Sequence, residues 1–501
     1  MQELEFSFAI DLRIVCFLLA GLLWLAEPTL AQNHDHEPAF LHRVAPGESL
    51  YKIARRYLAL TEAYRTTDLI RTIRDLNGIS GDLIRPNQYL KIPMVRSKPI
   101  LPRAILQPKD FEAKGIYVNR YSMASQKMNR LINQLIDLEG NTVILDGKDM
   151  SGKLSYPSRV NLAQTIGATS NPVISDPAKV FHYLHQKGLH VVVRLVLFYD
   201  PLLAKKRPEL AVRSISTGRV WREKGIVAWV DPSQPAVQRY NLDIARELVA
   251  MGVDEIQFDY IRFPAMGDIQ DAGYSFDEER ISKHEIITSF LSRARKELAF
   301  SKVLLSVDVF GIAAWNRPED IQITGQRIDE LARHCDVLSP MIYPSHFYGR
   351  FQAIPNPGDH PFLLVSETCK RISSLTEGTE VTLRPWIQAF PYRARQFDEM
   401  YVLEELHALS KSSAKGWLLW SAGNAYETAW KALAQWNSRS SPQNIPDNPT
   451  SSTGGVTALR ERPLQPLSGM HPAVRDKEKS DNRHGVLDPA VPDHEKGFIQ
   501  R

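Results

Sequence analysis

The chain is 501 residues long, 43% hydrophobic and 24% charged, an ordinary make-up for a globular protein with room for more than one domain. A formal net charge of +4, with no concentrated run of Lys and Arg, gives no general electrostatic case for a nucleic-acid partner.

In chain order, the first signal is the apolar run IVCFLLAGLLWLA over residues 14–26, preceded by Arg13 and followed by Thr29-Leu30-Ala31, a small-residue site of the signal-peptidase type. The run is shorter than the ~20 residues that a spanning helix needs, so it predicts a signal peptide over 1–31, cleaved after Ala31, and no stable membrane span afterwards. An uncleaved anchor is the alternative, because Glu3, Glu5 and Asp11 make the leading segment less positive than usual. Cys335 and Cys369 are then the only cysteines of the mature chain, and a disulfide and two buried thiols fit them equally.

A compact module follows over 41–93, predicted as strand, helix, helix, strand. Pro46-Gly47 turns the chain, Ser49 precedes Leu50, Ile53, Ala54 and Tyr57 at helical spacing, a second helix over 67–76 stops at Asn77-Gly78, and 89–92 returns as a strand. The opening HRVAPGESLYKIA, the LN turn and the ending LIRPNQYLKIP resemble a LysM domain. That resemblance implies a peptidoglycan or chitin-like glycan partner, bound through N-acetylglucosamine units. The segment between Tyr57 and Thr67 is longer than the family's usual one.

Residues 94–113, with Pro99, Pro102 and Pro108, read as a stiff linker. From 114 onward eight short apolar runs alternate with helical stretches: GIYVN, NTVILD, HVVVRLVLFYD, DEIQFDY, VLLSVDVFG, DVLSPMIYP, LRPWIQAF and GWLLWSA. Eight such units predict an α/β fold, a (β/α)8 TIM barrel over 114–436; a doubly wound open sheet competes less well, since no glycine-rich phosphate turn follows the first run. Residues 437–501, rich in Ser, Pro, Asp and Asn, read as a disordered tail.

In a barrel of this kind chemistry sits at the C-terminal ends of the strands. In DEIQFDY the polar residues Glu255, Gln257 and Asp259 alternate with Ile256, Phe258 and Tyr260, and in VLLSVDVFG the aliphatic residues leave Asp308 facing inward. Asp259 and Asp308, ending neighbouring strands, are the two carboxyl groups that glycosidic bond cleavage requires. Around them the strand ends supply Asp146, Lys148, Arg194, Arg262, Tyr343, His346, Gln388, Trp420 and Asn424, a mixture of aromatic faces and hydroxyl-binding groups that suits a polysaccharide. Trp229, in a long excursion over 201–235, is expected in a wall of the cleft. No cofactor is implied. No metal site is implied either, because no two His or Cys residues stand at ligand spacing with a third nearby.

The segments ILDGKDMSG, VLFYDPLLA, WVDP, DEIQFDYIRFP, SVDVFG, SPMIYPSHF and LLWSAGNAY, in that order over 114–430, resemble a bacterial family assigned to the glycoside hydrolases with an α-amylase-like barrel, long called a domain of unknown function. By that analogy Asp259 would be the nucleophile and Asp308 the proton donor. The α-amylase clan has Glu at the second position; Asp is one methylene shorter, so sequence does not set the carboxyl separation. The reading is therefore a secreted or periplasmic, wall-associated glycoside hydrolase, with a non-catalytic glycan-binding barrel or wall scaffold as the alternative.

Overall fold

The computed structural model describes residues 39–93, 103–105, 107, 111–347, 349–352 and 354–440. The predicted signal peptide, much of the 94–113 linker and the tail beyond 440 lie outside the described residues. The chain divides into two compact units between residues 99 and 100.

The first unit is the expected strand, helix, helix, strand. β1 (Phe40–Arg43) pairs antiparallel with β2 (Tyr89–Ile92), and α1 (Leu50–Tyr57) and α2 (Thr66–Asn77) lie between them in sequence. Ser49 caps α1, its side-chain oxygen accepting the Lys52 N–H at 3.3 Å, and Gly78 ends α2 at φ 62°, where a side chain is strained. Leu50, Ile53 and Ala54 of α1 meet Leu69 and Ile73 of α2 and Leu90 and Ile92 of β2 in one small core. The Asn77 side chain locks this arrangement by donating to the Lys91 carbonyl at 2.8 Å and accepting the Lys91 N–H at 2.7 Å. Part of the longer stretch after Tyr57 is absorbed by a 3-10 turn, Leu58–Leu60.

The second unit is a closed barrel of eight parallel strands, not an open sheet. In order they are β3 (Ala113–Val118), β4 (Thr142–Lys148), β5 (His190–Val196), β6 (Glu255–Asp259), β7 (Leu304–Phe310), β8 (Val337–Ile342), β9 in two pieces (Thr382–Leu383 and Trp386–Gln388) and β10 (Gly416–Trp420). Each pairs with the next, and β10 closes on β3 with Gly416 opposite Ala113. β9 is broken at Arg384-Pro385 because proline has no N–H to give; the Pro385 carbonyl still accepts the Leu418 N–H at 2.9 Å. Helices Lys127–Asp137, Pro177–Gln186, Pro235–Ala250, Lys283–Leu298, the short pair Pro318–Thr324 and Ile328–Leu331, Pro361–Leu375, Glu399–Ser410 and Glu427–Ser440 alternate with the strands. The last runs four residues past the boundary expected at 436.

The two-residue period of each strand divides its side chains between two environments. Outward, Phe258 of β6 packs 5.7 Å from Phe290 of the Lys283–Leu298 helix; each such buried aliphatic or aromatic side chain contributes about 1.5–3 kcal/mol. Inward, Tyr117, Ile144, Val192, Trp386 and Leu418 fill the barrel together with Tyr343 and Phe390. At the opposite end from Asp259, Glu255 of β6 meets Arg384 at 2.7 Å and His190 at 3.0 Å; burial works against its charge, yet these partners hold its carboxyl at about 2.

The seam between β10 and β3 yields a direct test. Gly416 has φ 86°, and a Cβ there would lie 1.9 Å from the Ala113 carbonyl oxygen. Gly416→Ala is therefore expected to lower the barrel's unfolding free energy by roughly 3 kcal/mol or more, read by denaturant unfolding followed through tryptophan fluorescence.

Two loops cover the C-terminal end of the barrel. Arg213–Ser214, from the excursion after β5, pairs antiparallel with Ala272–Gly273 from the loop after β6, and Glu223 bridges Ile226 around a tight Lys224-Gly225 turn. The excursion is thus a built layer. Among the described residues no helix is long and apolar enough to cross a membrane.

Candidate active site

β6 and β7 run parallel with Phe258 opposite Val307, which sets the next residues, Asp259 and Asp308, side by side at the strand ends. Both are almost enclosed, at 4% and 1% exposure. Their surroundings differ. Asp259 Oδ2 accepts two hydrogen bonds from Arg194, from Nε at 2.8 Å and Nη2 at 2.6 Å, while Oδ1 accepts the Tyr260 N–H at 2.6 Å. Tyr260 reaches that geometry in the left-handed region, φ 51°, a strained conformation for an aromatic residue. Asp308 has one neutral donor, Trp386 Nε1–H at 2.8 Å on Oδ1. Burial, and then the charge on Asp259, push its carboxyl well above the usual carboxylate range, against the pull of the Trp386 N–H and the more distant Arg194.

Arg194 is the hub. Its Nη1 donates to Asp146 Oδ1 at 2.7 Å, so one planar guanidinium bridges the ends of β4 and β6. Asp146 also accepts the Tyr117 hydroxyl at 2.5 Å, and burial raises its carboxyl despite Arg194 and Tyr117. Trp420 stacks on Tyr117 with ring centroids 4.3 Å apart, meets Trp386 edge-on at 5.5 Å, and lies 5.1 Å from the Arg194 guanidinium. Asp146, Arg194, Asp259, Asp308 and Trp420 therefore form one cluster.

Arg262 and Trp229 stand together beside it: the guanidinium lies over the Trp229, Tyr260 and Phe310 rings at 4.8, 4.8 and 4.4 Å. Tyr343 and His346 group with Phe390, at 5.6 and 5.9 Å, and burial, helped by Arg393, lowers His346 to about 4. The remaining three spend their polar atoms on the framework. Gln388 accepts the Ser345 N–H and donates to the Phe390 carbonyl, and Asn424 donates to the Tyr117 carbonyl and accepts the Asn119 N–H. Lys148, at 0% exposure, donates to Asp200 at 3.0 Å and Asn241 at 2.7 Å, under the Tyr240 ring. A β-bulge explains its position: Asp146 pairs with Arg194 but Lys148 with Leu195, so Gly147 is the extra residue and Lys148 turns out of the inward-facing row.

Tyr117, Trp386 and Glu223 were not among the residues expected from sequence. The first two were within reach, since Tyr117 alternates with Gly115 and Trp386 with Gln388 on inward faces. Glu223, in the covering loops, carries no such signal. Cys335 and Cys369 are both buried free thiols. Among the described residues no group of three His, Cys, Asp or Glu is placed to hold a metal ion.

A family model described as "Putative glycosyl hydrolase domain" matches residues 115–426, and a LysM domain model matches residues 42–93. No curated protein matches the chain. Similar solved structures include a hypothetical protein from Ruminiclostridium thermocellum, 37% identical over 39% of this chain and 97% of that one, TM-score 0.35. They also include the PgaB (BpsB) glycoside hydrolase domain from Bordetella bronchiseptica, 14% identical over 64% and 98%, TM-score 0.48. The spore cortex-lytic enzyme SleL from Bacillus cereus is 12% identical over 79% and 86%, TM-score 0.39. The chain belongs to the family described as "Putative glycosyl hydrolase domain", with a LysM domain ahead of the barrel.

Proposed function

We propose that the barrel cleaves glycosidic bonds of a cell-wall or extracellular polysaccharide through Asp259 and Asp308. The observation that carries the proposal is the unequal setting of the two: Arg194 supplies Asp259 with a permanent counter-charge, while burial and Asp259 favour the protonated form of Asp308. Asp308 gives its proton to the leaving glycosidic oxygen. Asp259 attacks the anomeric carbon or takes a proton from the attacking water, and its charge stabilises the oxocarbenium-like transition state. Trp420, half-buried and backed by Tyr117, offers a ring face to the sugar. The apolar run at 14–26 supports export, and the LysM domain supports retention at peptidoglycan or a chitin-like glycan.

The test is release of reducing sugars from a glycan panel that includes peptidoglycan, with Asp259→Asn as control. Release by the natural chain and none by the variant is expected; equal release by both overturns the assignment. The pH profile tests the role of Asp308. Its protonated form is the working one, so activity falls as pH rises through its pKa. The Trp386 N–H stabilises the carboxylate, so Trp386→Phe is expected to move this alkaline limb upward. An unmoved limb rules Asp308 out as the acid.

A further inference from the structure

The residue after Asp259 is held in a backbone conformation that its type does not favour. Tyr260 has φ 51°, in the left-handed region, where the Cβ of an L-residue crowds the backbone and only glycine sits without cost. A glycine here would remove the strain. The chain instead carries a ring, 3% exposed and wedged against Tyr199 at 5.2 Å, Trp229 at 6.0 Å and the Arg262 guanidinium at 4.8 Å, with its hydroxyl 3.8 Å from Met150 Sδ. The packing of that ring holds the strained backbone in place.

The strain bears on the carboxylate through a single planar peptide. The φ of Tyr260 and the ψ of Asp259 flank the same peptide group, so with the chain fixed on either side a return of φ to negative values rotates that group. The rotation would carry the Tyr260 N–H away from Asp259 Oδ1, which accepts it at 2.6 Å, and the Asp259 carbonyl away from the Leu197 N–H, which it accepts at 2.9 Å. Arg194 gives both of its bonds to the other carboxylate oxygen, Oδ2, from Nε at 2.8 Å and from Nη2 at 2.6 Å. A carboxylate has about four lone-pair sites, two on each oxygen. Both sites of Oδ2 and one of Oδ1 are therefore occupied, and the site that remains is on Oδ1.

Resting on the glycosidase reading, we propose that Tyr260 is a positioning residue whose left-handed backbone fixes the Asp259 carboxylate so that Oδ1, the oxygen not bonded to Arg194, is the atom that reacts. In direct attack the remaining Oδ1 lone pair forms the bond to the anomeric carbon while the glycosidic C–O bond breaks; its electron pair goes to the leaving oxygen, which takes the Asp308 proton. Where water attacks instead, Oδ1 takes the proton of the water whose oxygen forms that bond.

Three changes in the full chain separate backbone from ring. Tyr260→Gly and Tyr260→Ala both remove the ring, but only glycine adopts this φ freely. The hydroxy-acid analogue of tyrosine, incorporated at the same position by nonsense suppression, keeps the ring and replaces the N–H with an ester oxygen. Crystal structures of the free variants are expected to show the Asp259 carboxyl in place in the glycine variant and turned away in the alanine variant. Turnover is read as reducing sugar released from the glycan panel, with hexasaccharides of N-acetylglucosamine and of glucose added to it. The alanine variant should have a kcat about tenfold below that of the glycine variant at the same KM, and the ester should lose at least about tenfold in kcat with KM unmoved. A purely structural role predicts the opposite order, since glycine loses more freedom on folding than alanine, and no loss with the ester. The ester decides the matter if neither small variant folds. Equal turnover of the glycine and alanine variants, an unturned carboxyl in the alanine variant, or full turnover by the ester overturns the positioning role. In Asp308→Asn crystals soaked with a hexasaccharide that the natural chain cleaves, the anomeric carbon should lie nearer Oδ1 than Oδ2; the reverse overturns the choice of atom. A turned carboxyl in a chain that cleaves no glycan leaves the role of Tyr260 and sinks the glycosidase reading, and cleavage that none of the three changes slows does the reverse.

Discussion

An Asp259→Asn chain is expected to keep its fold and to lose turnover by at least about 10³-fold, measured as reducing-sugar release at saturating glycan. The fold should hold because Asn has nearly the same shape and its oxygen still accepts from Arg194, whose charge remains matched by Asp146; the bond given up is the one from the Tyr260 N–H, which an amide nitrogen does not accept. Turnover should fall because the amide neither attacks the anomeric carbon nor takes a proton from water. A second signature separates this from a general loss of structure. The charge on Asp259 is the second-largest cause raising Asp308, so Asp308 should titrate at lower pH in the variant, visible in the carboxyl infrared band or by NMR. Retained turnover, or an unmoved Asp308, contradicts the coupled-pair mechanism.

The largest stability effect is expected at Arg194. Arg194→Met leaves Asp146 and Asp259 buried without their shared cation, and breaking a buried pair in this way costs about 3–5 kcal/mol. Denaturant unfolding at pH 7 reads the loss. In the variant Asp146, already raised by burial, loses the cation that opposes burial, so its folded-state pKa rises further above the unfolded one. That part of the deficit is fully present above the raised value and shrinks as pH falls through it, because a protonated carboxyl no longer buries charge. Arg194→Lys should lie between, since a single ammonium does not bridge two carboxylates as a planar guanidinium does. A deficit independent of pH would show that packing, not charge, is what Arg194 provides.

The strand alternation in DEIQFDY and VLLSVDVFG placed Asp259 and Asp308 on inward faces, and the register of β6 against β7 sets them side by side. The same logic failed for Lys148 for a local reason. A two-residue period assumes an unbroken ladder, and the bulge at Gly147 inserts one residue that reverses every facing beyond it. Gly147 itself was the visible signal, because a side chain there would strike Val193. Gln388 ends its strand and Asn424 follows four residues past the end of β10, but such a position does not reveal whether an amide meets a ligand or a backbone carbonyl. Glu223 was out of reach for a different reason, since it is placed by a tight turn in a loop layer assembled from segments about 60 residues apart.

By itself the sequence determined what depends on short-range periodicity: the strand, helix, helix, strand module, eight strands spaced by helices, and two inward carboxyls at the ends of neighbouring strands. Only the tertiary structure decided which polar groups share an environment. That Arg194 serves Asp146 and Asp259 together, that Asp308 is left with one neutral donor, and that Lys148 is spent on Asp200 are consequences of barrel closure. Closure brings together side chains far apart in the chain, such as Asp308 and Trp386, at distances where hydrogen bonding and burial, rather than residue type, set the proton affinity.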